Sequence, residues 1–175
     1  NTGRYSCEIS FVVKTRPIHN TMPRKALRCL VDLTVHAITC PGVWLPRRDD
    51  VYVVIKLFGQ TRRTQLTSPV FPLLFHERFK FDQVFYTAFE PSQVAEALED
   101  EPLIIEVIQY SDIWEGGKLL AYYHTCAKDF LYPYPSYTSN YGTQDREALL
   151  DAALDFPGIA PKLEFSTKTV IRETQ

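Results

Sequence analysis

The side chains with the clearest chemical potential in this sequence are the carboxylates Asp49, Asp50, Asp112 and Glu115, which flank predicted loops. Clustered carboxylates bind calcium, which needs about six to eight oxygen ligands. The loop sequence GVWLPRR before Asp49 holds no carboxylate, and its two arginines would repel a divalent cation. The later tract Gln109–Ser111 offers an amide, a phenol and a hydroxyl where alternating aspartates would be needed. We therefore expect calcium-independent loops, with the aspartates serving as turn and cap residues.

Catalytic chemistry is not indicated either. The histidines are scattered, at His19, His36, His76 and His124. No G-x-S-x-G, H-E-x-x-H or nucleophilic-cysteine motif accompanies them. The isolated pair Gly116-Gly117 predicts a hairpin turn rather than a phosphate-binding loop. With a net charge of −2 and no basic-aromatic face, nucleic acid is not an expected partner. The sequence predicts a protein that is not an enzyme and has no cofactor, metal or small-molecule substrate.

Basic residues offer a possible binding surface. Five of them could form a strip: Arg47, Arg48, Lys56, Arg62 and Arg63. With Trp44 as an interfacial anchor, the strip would bind anionic lipid at about 1 kcal/mol for each basic residue. We favour the alternative, a solvated edge strand with Trp44 packed in the core, because acidic groups interrupt the strip. The first 28 residues carry six basic residues and one acid, which suits either an acidic protein surface, such as a cytoskeletal polymer, or a solvated face.

The elements that would position these residues are mostly strands, because apolar and polar residues alternate along them. The predicted strands are Cys7–Val13, Cys29–Ala37, Val51–Leu57, Arg62–Thr64, Phe79–Phe85, Leu103–Tyr110, Lys118–Tyr123 and a closing strand from Leu163. Val51–Leu57 is apolar on both faces and should be central; a tight Gly59-Gln60 turn joins it to an edge strand. The pattern predicts an all-β Greek-key sandwich of about eight strands with one or two short helices.

The remaining segments predict helix or loop. Pro91–Leu98 has the composition of a short helix, with Ser92 as its cap. The sequence REALLDAAL, from Arg146 to Leu154, also has helical composition. Residues 131–141, rich in Tyr and Pro, predict a long surface loop.

The four cysteines, Cys7, Cys29, Cys40 and Cys126, are too widely spaced for a zinc site or a disulfide framework. We expect free, mostly buried thiols in a reducing compartment. The apolar runs are too short to span a bilayer, and no charged-then-apolar leader opens the sequence.

Several tracts resemble the N-terminal domain of the spermatogenesis-associated protein 6 family. They are AITCPGV (37–43), DVY (50–52), FGQ (58–60), VFPLLFHE (70–77), KDFLYP (128–133) and FPGIAPKLEFST (156–167). The last tract and the short Tyr/Pro insert favour the family's 6-like branch. The resemblance covers residues 22–173, so residues 1–21 would be an N-terminal extension, with Ile9, Phe11 and Val13 adding a strand, and residues 22–175 the C2-like domain.

The resemblance implies a cytoplasmic, non-enzymatic, C2-like structural protein of the sperm neck and flagellum, or of a cilium's basal body and axoneme. Members are linked to the connecting piece between head and tail, so cytoskeletal, motor-associated or axonemal proteins are the expected partners. The alternative is a peripheral membrane module that recognises anionic lipid. Candidate partner-binding residues are Arg47, Arg48, Arg62, Arg63, Tyr132, Tyr134 and Tyr137.

Overall fold

The computed structural model describes residues 26–113, 115–131 and 144–174, with Gln144 described in its backbone alone. The strands are β1 (Leu27–Thr39), β2 (Val51–Leu57), β3 (Gln60–Arg63), β4 (Leu73–Phe85), β5 (Pro102–Gln109), β6 (Lys118–Cys126), β7 (Gln144–Leu149), β8 (Asp151–Ala152) and β9 (Lys162–Glu173). The helices are α1 (Pro91–Ala97) and α2 (Ala127–Leu131). Neither is long and apolar enough to cross a membrane.

The strands form two antiparallel sheets. The first sheet has the order β4-β1-β9-β7, and the second has the order β3-β2-β5-β6-β8. Alternating residues of each strand face the other sheet, and the core between the sheets includes Leu33, Ile55, Phe81, Ile105 and Leu163. The predicted all-β sandwich is confirmed, and β2 is flanked on both sides, as predicted. The predicted strand at Cys7–Val13 and the 131–141 loop beyond Leu131 lie outside the described residues.

The prediction of a helix from Arg146 to Leu154 is wrong. β7 pairs with β9, and β8 pairs with β6, so this segment passes from one sheet to the other. Arg146 in β7 is half-buried: its guanidinium lies 5.0 Å from the Phe165 ring centroid and donates to Thr167 Oγ1 at 2.9 Å. Strand pairing therefore overrides the helical composition.

Three smaller differences concern local structure. The N-cap of α1 is Glu90, which forms a capping box with Gln93, so the assignment of Ser92 as the cap is wrong. The β2–β3 turn lies one residue earlier than predicted, at Phe58-Gly59, and both residues have positive φ, as a two-residue type I′ hairpin requires. The short helix α2 was not predicted.

Cys29, Cys40 and Cys126 are free, and the first two are buried, as predicted. Burial raises the pKa of the Cys29 thiol to about 12 from 9.0. Because the folded state retains this proton, the contribution of the neutral thiol to stability is complete below pH 9.0 and is lost as the pH rises towards about 12.

We expect a thiol reagent at a pH of about 8 to modify half-buried Cys126 well before Cys29, because the thiolate is the reactive form and Cys29 is inaccessible. The experiment uses a Cys7→Ser background and peptide mapping by mass spectrometry. In the matched control, Cys126→Ser, the early modification should disappear. Equal labelling rates for Cys29 and Cys126 in the folded protein would contradict the packing described here.

Candidate functional site

The loop end of the sandwich is the place where residues 40–50 meet the turn after β5. Gln109, the last residue of β5, is only 2% exposed. Its amide nitrogen Nε2 donates to the Arg47 carbonyl at 3.0 Å and to the Asp49 carbonyl at 2.9 Å. The Tyr110 N–H donates to the Asp50 carbonyl at 2.8 Å. Because an amide has two N–H donors, Gln109 satisfies both loop carbonyls at once and fastens the two loops together.

Two of the four carboxylates at the loop end, Asp49 and Asp112, have side-chain partners, whereas Asp50 and Glu115 are exposed. The Arg47 guanidinium lies 2.7 Å from Asp49 Oδ2. A hydrogen bond to Asp112, assisted by its negative charge and by desolvation, raises the pKa of the Tyr110 phenol. Both aspartates thus make local side-chain contacts. Among residues 26–113, 115–131 and 144–174, no three His, Cys, Asp or Glu side chains are grouped so that they could hold a metal ion.

The glycine pair turns the chain back from β5 into β6, as predicted. Gly116 and Gly117 have φ values of 84° and 78°, in the left-handed region that glycine adopts without strain. A Cβ at Gly117 would lie 2.6 Å from the Gln109 carbonyl oxygen, whereas a Cβ at Gly116 would meet nothing within 4 Å. Tyr52 Oη also donates to the Gly116 carbonyl at 3.3 Å. The turn therefore packs directly on the residue that joins the loops.

Exposed apolar side chains project from the loops at this end. Trp44 is 81% exposed and Ile113 is 82% exposed, so the prediction that Trp44 packs in the core is wrong. The loop of residues 153–161 lies at the same end of the sandwich, because Cys40 Sγ donates a hydrogen bond to the Ile159 carbonyl at 3.4 Å. Leu154 and Ile159 on that loop are also exposed. The loop end is thus internally braced by polar groups and apolar at its tips.

The four candidate arginines do not form one strip. Arg47 is paired with Asp49, and Arg48 is exposed on the same loop. Arg62 and Arg63 lie on the edge strand β3 and face opposite sides of the sheet. The Arg62 guanidinium lies 5.7 Å from the ring centroid of Phe81, and the Arg63 guanidinium lies 5.1 Å from that of Tyr52. Tyr132, Tyr134 and Tyr137 lie outside the described residues.

Sequence reasoning missed the outer face of the first sheet as a candidate surface. Its side chains come from β4, β1 and β9, which are far apart in the chain but adjacent in the sheet. The available signal was the set of polar residues that alternate with buried ones, such as Arg28 and Asp32 in β1 or Lys168 and Arg172 in β9. Only the strand order shows that the polar residues of these strands lie side by side.

Comparisons with a family model and with related sequences point to the same protein family. The model of the family described as Spermatogenesis-assoc protein 6 matches residues 31–171. A spermatogenesis associated 6-like protein of Rattus norvegicus is 43% identical over 148 residues, which are 84% of this chain and 36% of that protein. The Homo sapiens protein of the same name is 40% identical over 147 residues, 84% of this chain and 33% of that protein. The chain thus spans about a third of the length of these relatives.

Solved structures with the same architecture include C2 domains. A C2 domain of plant extended synaptotagmin 1 aligns with a TM-score of 0.54 and 15% identity, over 83% of this chain and 95% of that one. Human GIVD cytosolic phospholipase A2 aligns with a TM-score of 0.55 and 10% identity, over 86% of this chain and 16% of that one. At these identities the similarity establishes the fold, a C2-like sandwich, and nothing further.

Proposed function

The chain belongs to the spermatogenesis-associated protein 6 family, and we propose that it is a non-enzymatic interaction scaffold of the sperm flagellum or ciliary apparatus that works without calcium. The expected setting is the connecting piece, a basal body or an axoneme, with cytoskeletal, motor-associated or axonemal proteins as partners. The family membership supports the setting. The loop end supports the calcium-independent mode of action.

The observation that carries the calcium-independent mechanism is the Gln109 amide. It donates to the carbonyls of Arg47 and Asp49, in the position between two loops where a bridging cation would otherwise draw oxygen ligands together. The Arg47 guanidinium supplies a further positive charge beside Asp49. Protein groups thus hold the two loops together here, which supports a mode of action without a bridging ion.

Proximity labelling in ciliated or flagellated cells tests the cellular part of the proposal. The chain, fused to a labelling enzyme, is expected to label basal-body, axonemal or motor-associated proteins above a cytosolic control fusion. The reason is that a scaffold spends most of its time beside its partners. Labelling indistinguishable from that of the control fusion would overturn the assignment.

A second candidate function is a peripheral membrane module, which Trp44 and Ile113 favour because both are more than four-fifths exposed at the loop tips. Asp50 and Glu115 are also exposed at this end and would repel anionic headgroups, so we rank it second. Flotation with phosphatidylserine vesicles, with and without calcium, distinguishes the two functions. The scaffold proposal predicts that the protein stays with the unbound fraction. If the protein instead floats with the vesicles, and the double variant Trp44→Ser/Ile113→Ser does not, the membrane module is favoured.

A further inference from the structure

The outer face of the first sheet carries a group of basic residues, which we call the basic face. Its five cations are Arg28, Arg78, Lys80, Lys168 and Arg172, and its two carboxylates are Asp32 and Asp82. Asp32 of β1 stands between Lys80 of β4 and Lys168 of β9, because both residues are its register partners. Arg28 stands beside Arg172 in the same way. The basic face is therefore built by three neighbouring strands.

Two cations of the basic face are neutralised and three are not. Arg78 lies 2.6 Å from Asp32 Oδ2, and Arg28 pairs with Asp82 across the strands. Within the described part of the chain, Lys80, Lys168 and Arg172 have no ion-pair partner. The basic face thus has three positive charges in excess, although the whole chain has a net charge of −2.

Apolar groups lie between these charges. Leu30 of β1 and Val170 of β9 are register partners on the outer face, and both are half-buried. A cleft of about 320 Å³ opens beside Leu30 at the β4 edge, and its lining includes Lys80, Arg62 and the two carboxylates of the basic face. The Arg62 guanidinium, which sequence reasoning had assigned to an isolated edge strand, contributes to this cleft through its position over Phe81.

We propose that the basic face binds an extended acidic protein segment that also carries aliphatic side chains. The carboxylates of the segment would pair with Lys80, Lys168 and Arg172, and its aliphatic groups would cover Leu30 and Val170. This inference rests on the proposed scaffold function and specifies the chemistry of its partner.

The dimensions of the basic face suit a short segment. Lys168 and Arg172 are four residues apart along β9, which is about 13 Å at about 3.3 Å per residue. Lys80 and Lys168 are two strands apart, about 10 Å at about 4.8 Å per strand. A segment of about eight residues that crosses from Lys80 to Lys168 and then follows β9 to Arg172 covers both distances, about 23 Å at about 3.3 Å per residue.

The two carboxylates of the basic face favour a protein segment over a wider anionic surface. Asp32 and Asp82 lie within the face, Glu164 lies further along β9, and Asp145 and Glu147 follow on β7. A membrane or nucleic acid would bring phosphates against all of them, with repulsion at each. A single segment crosses only Asp32 between Lys80 and Lys168, where Arg78 already pairs with that carboxylate, and it stays clear of the acids beyond the face.

Fluorescence anisotropy with labelled peptides tests this inference. The probes are the octapeptide (Glu-Glu-Leu-Leu)2, which in extended form presents both Glu and Leu on one face, and its basic counterpart (Lys-Lys-Leu-Leu)2. We expect (Glu-Glu-Leu-Leu)2 to bind at about 50 mM salt and to weaken at about 500 mM, because exposed ion pairs are screened. The triple variant Lys80→Glu/Lys168→Glu/Arg172→Glu should bind it about tenfold more weakly or worse, since each exposed pair contributes up to about 1 kcal/mol.

A charge-matched control variant, Lys56→Glu/Lys118→Glu/Lys128→Glu, changes the net charge equally but lies on the second sheet and on α2, away from the basic face, and should bind like the wild type. Thermal melts verify that both variants fold. Equal binding by the triple and control variants, or equal binding of the two peptides, would overturn the inference. The inference would also be overturned if the protein bound vesicles through the basic face but did not bind the peptide. That result would assign the face to phospholipid. If peptide binding fails while proximity labelling of flagellar proteins persists, this surface is wrong and the scaffold function stands.

Discussion

Gly117→Ala is expected to destabilise the protein by about 3 kcal/mol or more, because two costs coincide at this position. An alanine must adopt a φ near 78°, and its Cβ would lie 2.6 Å from the Gln109 carbonyl oxygen and 2.6 Å from Ile108 Cγ2. The carbonyl belongs to β5 and cannot move without disturbing the ladder. Urea unfolding followed by circular dichroism measures the loss.

Gly116→Ala is the matched control for this prediction. Its φ of 84° imposes similar backbone strain, but a Cβ there meets nothing within 4 Å. We expect a loss of about 1 kcal/mol from the backbone alone. Equal losses at Gly116 and Gly117 would mean that the turn does not pack on the end of β5 as described.

Gln109→Met is expected to reduce the free energy of unfolding by about 2–4 kcal/mol. Methionine nearly preserves the volume of the side chain, so packing changes little, but it has no N–H donors. The Arg47 and Asp49 carbonyls would each lose a hydrogen bond, of 3.0 and 2.9 Å respectively, from a side chain that is only 2% exposed. Chemical denaturation reports the change.

Gln109→Glu nearly preserves the shape of the side chain but replaces the donating amide with a carboxylate. At neutral pH its carboxylate would face the two carbonyl oxygens, so the variant should be at least as unstable as Gln109→Met. A stability equal to that of the wild type in both variants would show that the amide does not brace the loops.

Alternation of apolar and polar residues predicted most of the fold. β1 shows the signal well, because one face is buried and the other is mostly polar, whereas β5 shows it less clearly because Ile104 and Ile108 lie on its less buried face. In β7 exposure alternates, with Asp145, Glu147 and Leu149 exposed, but the residue types do not follow it, because Arg146 is half-buried and Leu149 is exposed. The composition of REALLDAAL therefore favoured a helix, and only the pairing with β9 reveals the strand. Local propensity could not decide this case.

The candidate surfaces depended on contacts that sequence patterns do not contain. Gln109 was recognised as the wrong residue type for calcium, but its hydrogen bonds reach residues 62 and 60 positions earlier in the chain. Arg62 and Arg63 are neighbours in sequence, yet strand geometry turns them to opposite faces. The basic face required the order β4-β1-β9, which follows from the whole topology. Residue chemistry was predictable at these sites, whereas the spatial grouping was not.

The central claim, an interaction scaffold that works without calcium, is tested most directly by one capture experiment. The tagged chain is incubated with a flagellar or ciliary extract, either with a calcium chelator or with about 1 mM free calcium. The retained proteins are then quantified by mass spectrometry. We predict the same cytoskeletal, motor-associated or axonemal proteins, in equal amounts, under both conditions. Capture that requires calcium, or capture of no such protein under either condition, would contradict the account.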